Sequence, residues 1–485
     1  MSIHPIRTSR AIEEAYCGYL ETTFELADSN LRSQLGARLR EKGRLVRGPM
    51  VQATMPFRKA ASLSDLVGER VLSPLFLRYP FETLERPLYR HQENAIRKMV
   101  SGQRNIVVAT GTGSGKTECF MIPIANHLML EHEAGTLGPG VRALLLYPMN
   151  ALANDQVKRL RDLFGPFPFM TFGRYTGETP NKKQEALDAY RNTFKRDPLP
   201  NEMISREEMK VNPPNVLITN YAMLEYLLLR PADNVFFDGA SANHWRFVVL
   251  DEAHTYSGVK GMETAMLLRR VRDRVVDGVV GRLQCAATSA TLGRGLDDAP
   301  EIMQFASQLF SEPFEYYPND VDRQDLIVAE REPVDRANVW GSPDRALYGA
   351  WHDILLRQRD ETRTVSELAE IGTMHGVGAG IITQALAESA SCVDSFLFKV
   401  LSGDERIICA QELLSDDPLS IRELAIAMFG EDVDIDEAEQ CTVAMVSLAV
   451  RARSSSDDRP LLPARYHLML RALSGAWVSF APTPR

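Results

Sequence analysis

The sequence predicts an α/β protein built on a doubly wound parallel sheet, with helical material before and after it. Three observations carry this. Between about Phe76 and Gly293, short β-branched runs alternate with helical patterns. Those runs are apolar almost throughout, as strands covered on both faces are. One of them leads directly into a glycine-rich loop and then an apolar helix.

A chain of 485 residues suggests two to four domains. Its 45% hydrophobic and 25% charged residues exclude a disordered, collagenous or disulfide-scaffold protein. Apolar runs such as Ala143–Tyr147 fall far short of the ~20 residues a membrane span needs. The opening Met-Ser-Ile-His-Pro-Ile-Arg has no apolar signal core, and six scattered cysteines show no CxxC spacing. A cytoplasmic, reducing location without membrane partners is therefore expected, and no zinc ribbon. The net charge of −9 hides an asymmetry. Residues 301–485 hold 16 Lys and Arg against 31 Asp and Glu, so residues 1–300 are net basic. A basic first part suits nucleic acid better than the acidic second part does.

Residues 1–75 read as a helical lead-in, with Ile12, Ala15, Tyr16, Tyr19 and Leu20 at helical spacing. Residues 76–300 form the α/β domain. Its expected strands are Asn105–Ala109, Arg142–Tyr147, Asn215–Thr219, Phe247–Leu250 and Gln284–Thr288. After Gly293 the strand signals fade, and residues 301–485 read as a mostly helical accessory region. Within it, Thr364–Ala387 and Pro418–Val450 share a layout that fits a winged-helix unit or a plain helical bundle equally well.

Thr110-Gly-Thr-Gly-Ser-Gly-Lys-Thr117 joins the strand Asn105–Ala109 to the apolar helix Cys119–Leu130. This is the strand–loop–helix context of a phosphate-binding loop. Gly111, Gly113 and Gly115, with Thr112 and Ser114 between them, let backbone amides wrap close to phosphate oxygens. The helix N-terminus adds its positive dipole end. Lys116 is placed to reach the β- and γ-phosphates of ATP, and Thr117 to hold Mg²⁺. A glycine-rich turn without a ligand would not need Gly-Lys-Thr in this context. Phe247-Val-Val-Leu-Asp-Glu-Ala-His254 is a second apolar strand, ending in two carboxylates and a histidine. Asp251 at the strand tip can hold the Mg²⁺ water shell, and Glu252 can polarise an attacking water. A lone histidine in this position is usually structural, but beside Asp-Glu-Ala a coupling role for His254 is the stronger reading.

Together these strings resemble the first motor domain of superfamily 2 DEAD/DEAH-box helicases, a RecA-like fold. Other motifs follow in that family's order. Leu88-Tyr-Arg-His-Gln92 resembles the adenine-reading motif, which implies that Gln92 pairs with the base. Tyr147-Pro-Met-Asn-Ala-Leu-Ala-Asn-Asp-Gln156 and Tyr175-Thr-Gly-Glu178 are similar to two strand-binding motifs. Thr219-Asn-Tyr-Ala-Met-Leu-Glu225 occupies the next strand-end position. The resemblance implies nucleic-acid contacts at Asn150, Thr176, Gly177, Thr219 and Asn220, with Arg174 adding charge. Such contacts fix register on phosphates without reading sequence. Ser289-Ala-Thr291 is similar to the motif that couples hydrolysis to strand movement, which gives Ser289 and Thr291 that role.

The wording of the motifs, with Leu461-Leu-Pro-Ala-Arg-Tyr-His467, resembles long bacterial helicases of the MrfA repair type and of the Druantia and DISARM antiphage systems. The resemblance implies an ATP- and Mg²⁺-dependent helicase or translocase acting on DNA, single-stranded or a tailed duplex, with RNA the alternative. A complete motor of this family has a second RecA-like domain with an arginine-finger motif, Gln-x-x-Gly-Arg-x-x-Arg. Residues 293–485 carry no such string. The chain therefore reads as a helicase front half whose second domain is supplied in cis or in trans, poorly active by itself, with a defence-system protein as a candidate partner. The competing reading is a nucleotide-gated nucleic-acid-binding or regulatory subunit that unwinds nothing itself.

Overall fold

A computed structural model describes residues 4–23, 26–41, 43–111, 113–148, 150–239, 243–290, 296–357, 360–416, 418–455 and 459–471. They form two compact units. One is Phe57–Arg331, and the other joins the chain up to Pro56 with the chain from Glu332 onward. Strand β1 (Val46–Ala53) belongs to the latter.

The Phe57–Arg331 unit is a doubly wound α/β domain. Its eight strands are β2 (Ile106–Ala109), β3 (Ala143–Tyr147), β4 (Phe172–Arg174), β5 (Glu202–Met203), β6 (Val216–Asn220), β7 (Phe247–Leu250), β8 (Gln284–Ser289) and β9 (Leu326–Val328). They lie in the order β5-β4-β6-β3-β7-β8-β2-β9, and every pairing is parallel. Successive strand residues feed opposite faces, which explains the unbroken apolar runs. Ile106, Val108, Leu145, Ile218, Val249 and Ala286 pack into one core. Their neighbours Val107, Leu144, Leu146, Leu217, Val248 and Leu250 pack into the other.

The five expected strands are the central ones, each within a residue of its predicted ends. β4 and β5 are too short to leave a periodic signal. β9 corrects the expectation that strands end at Gly293: Leu326–Val328 pairs with β2 at the sheet edge. The chain divides at 56/57 and 331/332, whereas sequence texture suggested 75/76 and 300/301. The reason is burial. Leu63, Leu66 and Phe76 enter the same core as Ile106. Ile302, Met303, Leu309 and Phe310, on the helix Ala299–Phe310, enter the core on the other face.

In the second unit, β1 is the middle strand of an antiparallel sheet, between β10 (Leu419–Ser420) and β11 (Ala464–Leu470). From Glu405 the elements run helix Glu405–Asp416, β10, helix Ile421–Phe429, helix Ile435–Arg451, β11. β1, from the N-terminal side, is the third strand of this small sheet. Ser420 and Glu423 form a capping box at the helix after β10. The helix Ile435–Arg451 is buried through Val443, Met445, Val446 and Leu448, and its exposed first turn carries Asp436 and Glu437. All six cysteines are free thiols. Among the described residues, no helix is long and apolar enough to cross a membrane.

Candidate nucleotide and nucleic-acid site

The phosphate loop leaves the C-terminal end of β2, where Thr110 N–H donates to the Ser289 carbonyl on β8 at 3.1 Å. Gly113 (φ +80°) and Gly115 (φ +74°) adopt left-handed backbone that other residues rarely take. At Gly115 a Cβ would also lie 2.3 Å from Gln92 Nε2. The loop is braced from inside by the Thr110–Ser114 hydroxyl pair, 2.5 Å apart. It is braced from behind by the helix Arg90–Val100. His91 Nε2 lies 2.8 Å from the Ser114 carbonyl, and Gln92 Nε2 donates to the Gly115 carbonyl at 3.1 Å. Gln92 Oε1 accepts from Tyr89 N–H at 2.8 Å. Both ends of the Gln92 amide thus hold protein backbone in this state.

Lys116 is 9% exposed, not solvent-facing as a loop tip suggests. Its Nζ lies 3.3 Å from Glu252 Oε1. This contact joins the loop after β2 to the end of β7, between residues 136 apart in sequence. Thr117 is buried; its hydroxyl donates to Gln156 Oε1 at 3.3 Å and accepts from Arg159 Nη1 at 2.9 Å. Thr112 lies outside the described residues.

Asp251 and Glu252 follow β7. Asp251 Oδ1 accepts from the Thr288 hydroxyl of β8. Burial holds the Asp251 carboxyl above its usual range, and the neighbouring Glu252 charge adds to this, against the Thr288 hydrogen bond and Lys116. Glu252 sits at φ +50°, a costly backbone for a residue with a side chain. That turn sends Asp251 and Glu252 in different directions from one strand end. His254 Nδ1 lies 3.1 Å from Ser289 Oγ and 3.4 Å from Glu252 Oε2. His254, Glu252 and Ser289 are therefore in one cluster, while Thr291 lies outside the described residues. Lys116, Glu252, Asp251 and Thr117 supply a cation, a carboxylate beside it and two oxygen donors. This set fits ATP with Mg²⁺, which takes few protein ligands and several waters and phosphate oxygens.

The expected strand-contact residues sit at or just beyond the C-terminal ends of neighbouring strands β3, β6 and β4. Their side chains are mostly turned inward. The Thr219 hydroxyl donates to the Tyr175 carbonyl at 2.6 Å, and Asn220 Oδ1 caps the next helix by accepting from Met223 N–H at 2.8 Å. Thr176 is fully buried, and its hydroxyl finds no hydrogen-bond partner among the described residues. Gly177 is exposed. Asn150 opens the helix Asn150–Phe164, and its side chain lies outside what is described. Arg174 pairs with Glu178 at 3.0 Å.

Sequence reasoning gave no role to His91, Gln156, Arg159, Thr288 or Arg206. Arg206 stacks over Tyr175 at 5.2 Å and donates to the Thr176 carbonyl at 2.8 Å. Gln156 and Arg159 stand three residues apart on one helix face, a spacing that could have exposed them.

Residues 89–299 match the DEAD/DEAH box helicase family. Across 98% of its length the chain is 27% identical to Druantia protein DruE of Escherichia coli (strain UMEA 4076-1), of which it spans 30%. It is 27% identical over 214 residues to ATP-dependent helicase hrq1 of Schizosaccharomyces pombe, covering 44% of this chain and 17% of that one. A crystal structure of DUF1998 helicase MrfA bound to DNA superposes with a TM-score of 0.40 at 17% identity, over 75% of this chain and 45% of that one. The phosphate loop and the Asp-Glu-Ala-His strand end, assembled in one parallel sheet, both lie within the residues that match the DEAD/DEAH box helicase family.

Proposed function

We propose that the chain binds ATP with Mg²⁺ and couples its hydrolysis to movement along nucleic acid, DNA first and RNA second. The observation that carries this is the Lys116–Glu252 contact, which sets the phosphate-binding lysine against the water-orienting carboxylate. In this reading Lys116 and the loop amides hold the phosphates, Thr117 and Asp251 hold the metal, and Glu252 orients water. His254 and Ser289 pass the state of the site to the strand loops, where backbone groups near Gly177 track phosphates. A second RecA-like domain, in cis or in trans, completes the motor. Action in the cytoplasm, in antiphage defence or DNA repair, follows from the resemblance read in the motifs. One observation favours a nucleotide-gated binding subunit instead: among the described residues a single parallel sheet carries these motifs.

The test is Lys116→Ala with equilibrium binding of labelled ATP and a melting curve. ATP affinity should fall at least tenfold while stability changes by about 1 kcal/mol, because Glu252 is part-exposed and tolerates the loss of its partner. Unchanged ATP affinity would overturn the site assignment.

A further inference from the structure

The corner of the phosphate loop where Mg²⁺ would sit already holds a cation from the protein itself. Arg159 Nη1 donates to Thr117 Oγ1 at 2.9 Å, while that hydroxyl's own proton goes to Gln156 Oε1 at 3.3 Å. A hydroxyl has one proton and two acceptor sites. Here the proton is spent and one acceptor site takes a full positive charge. The surroundings are polar but enclosed: Thr117 is 7% exposed, Gln156 7% and Asp251 9%. The Tyr147 phenol is fully buried and finds no hydrogen-bond partner among the described residues. Burial and the Asp251 charge push its ionisation upward, and the Arg159 charge pulls against them. The body of Arg159 is exposed on the helix Asn150–Phe164, so the side chain has an open path outward.

We infer that Arg159 is a resident positioning cation of the metal corner, holding Thr117 in the metal-free site and yielding its place when Mg²⁺ binds with nucleotide. The inference rests on the ATP reading above and deepens it. Two cations cannot share the Thr117 oxygen at bonding distance, because their repulsion grows as water is excluded. The metal-binding form is therefore one with Arg159 displaced, and apparent metal affinity is reduced by the fraction of sites that Arg159 closes. The displacement is a rotamer change of an exposed side chain and requires no unfolding. It makes the Mg²⁺ requirement a property of this residue as well as of the ligands Thr117 and Asp251.

The experiment uses residues 1–485, a fluorescent non-hydrolysable ATP analogue at fixed concentration, and a Mg²⁺ titration read by anisotropy. It is run on the unaltered chain, R159A, R159Q and R159K, with a melting curve for each. Losing one charge-assisted hydrogen bond should lower the half-saturating Mg²⁺ concentration of R159A and R159Q roughly 5- to 10-fold. R159K should lie between them and the unaltered chain, and analogue binding in EDTA should change far less. An unchanged Mg²⁺ midpoint in R159A would overturn the inference and leave the ATP reading standing. So would a loss of analogue binding with and without Mg²⁺, since Arg159 would then be a phosphate ligand. If the unaltered chain bound no analogue and K116A behaved identically, the ATP reading would fall, and this inference with it.

Discussion

At Glu252 the chain accepts a left-handed backbone that a non-glycine residue seldom adopts, and the gain is directional. Asp251 stays against Thr288, while Glu252 swings to Lys116 and His254. Glu252→Gln keeps the shape and removes the charge that would activate water. In a longer polypeptide that includes the second motor domain, phosphate release should fall about 10²- to 10⁴-fold while ATP stays bound. Near-normal turnover would remove Glu252 from the role of base. A second residue gives a pH signature. Asp404 is fully buried, accepting from the Tyr348 hydroxyl at 2.7 Å and Arg406 N–H at 3.0 Å. Burial pushes its carboxyl up to about 6, against the Tyr348 hydrogen bond. An unfolded aspartate titrates near ~3.9. Between those values the folded chain holds the proton more tightly, so stability is greatest at the acid end and declines as pH rises through about 6. The loss by pH 7 is of order 2–3 kcal/mol. Asp404→Asn should flatten that decline, read as melting temperature against pH for the two proteins. Parallel curves would count against it.

At the scale of elements, β1 is the informative piece. It lies some 366 residues before β10 in sequence yet forms the middle of the three-stranded antiparallel sheet, with Val51 opposite Leu419 on one side and Tyr466 on the other. Val51 is 0% exposed and belongs to the core of the unit that continues from Glu332. Val51→Asp places an unpaired charge there and should destabilise that unit by about 3 kcal/mol or more. β1 takes no part in the parallel sheet. ATP binding should therefore survive the change while protease sensitivity rises within residues 332–471. Simultaneous loss of ATP binding would show that the two units do not fold independently. The helix Ile435–Arg451 exposes an acidic first turn, Asp436 and Glu437, and buries one face through Val443, Met445, Val446 and Leu448. That charge suits a protein-facing or purely structural role better than contact with phosphates.

At the scale of the molecule, the reading proposed above makes residues 1–485 one wall of an ATP cleft. The strand loops lie at the ends of β3, β4 and β6, and the phosphate loop at the end of β2 in the same sheet. Coupling of hydrolysis to strand movement needs a second domain that closes on both ligands. An arginine finger contributes about 10³–10⁵ in rate in well-studied phosphoryl-transfer enzymes. Purified residues 1–485 should bind single-stranded DNA weakly and with strong salt dependence, hydrolyse ATP slowly with little response to DNA, and leave a tailed duplex intact. Robust ATP-dependent strand separation in a fluorescent duplex assay would refute this.

The sequence by itself determined the phosphate-loop pattern and the centre of the fold. A phosphate loop needs glycines, Lys116 and Thr117 in consecutive positions, and buried parallel strands need unbroken apolar runs, so both are written locally. Tertiary structure decided what depends on partners far away in the chain. β9 is three residues long and is a strand only because β2 offers a free edge. Pairing with Glu252 makes Lys116 a buried residue, and inward hydrogen bonding spends Thr219 and Asn220 on carbonyl and cap. The unit boundaries moved to 56/57 and 331/332 because burial, which no local pattern records, assigns Leu63 and Phe310 to the sheet's cores. Arg159 reached the metal corner by the same route. Its place follows from how the helix Asn150–Phe164 packs on β3, β4 and β6, which neighbouring sequence does not encode.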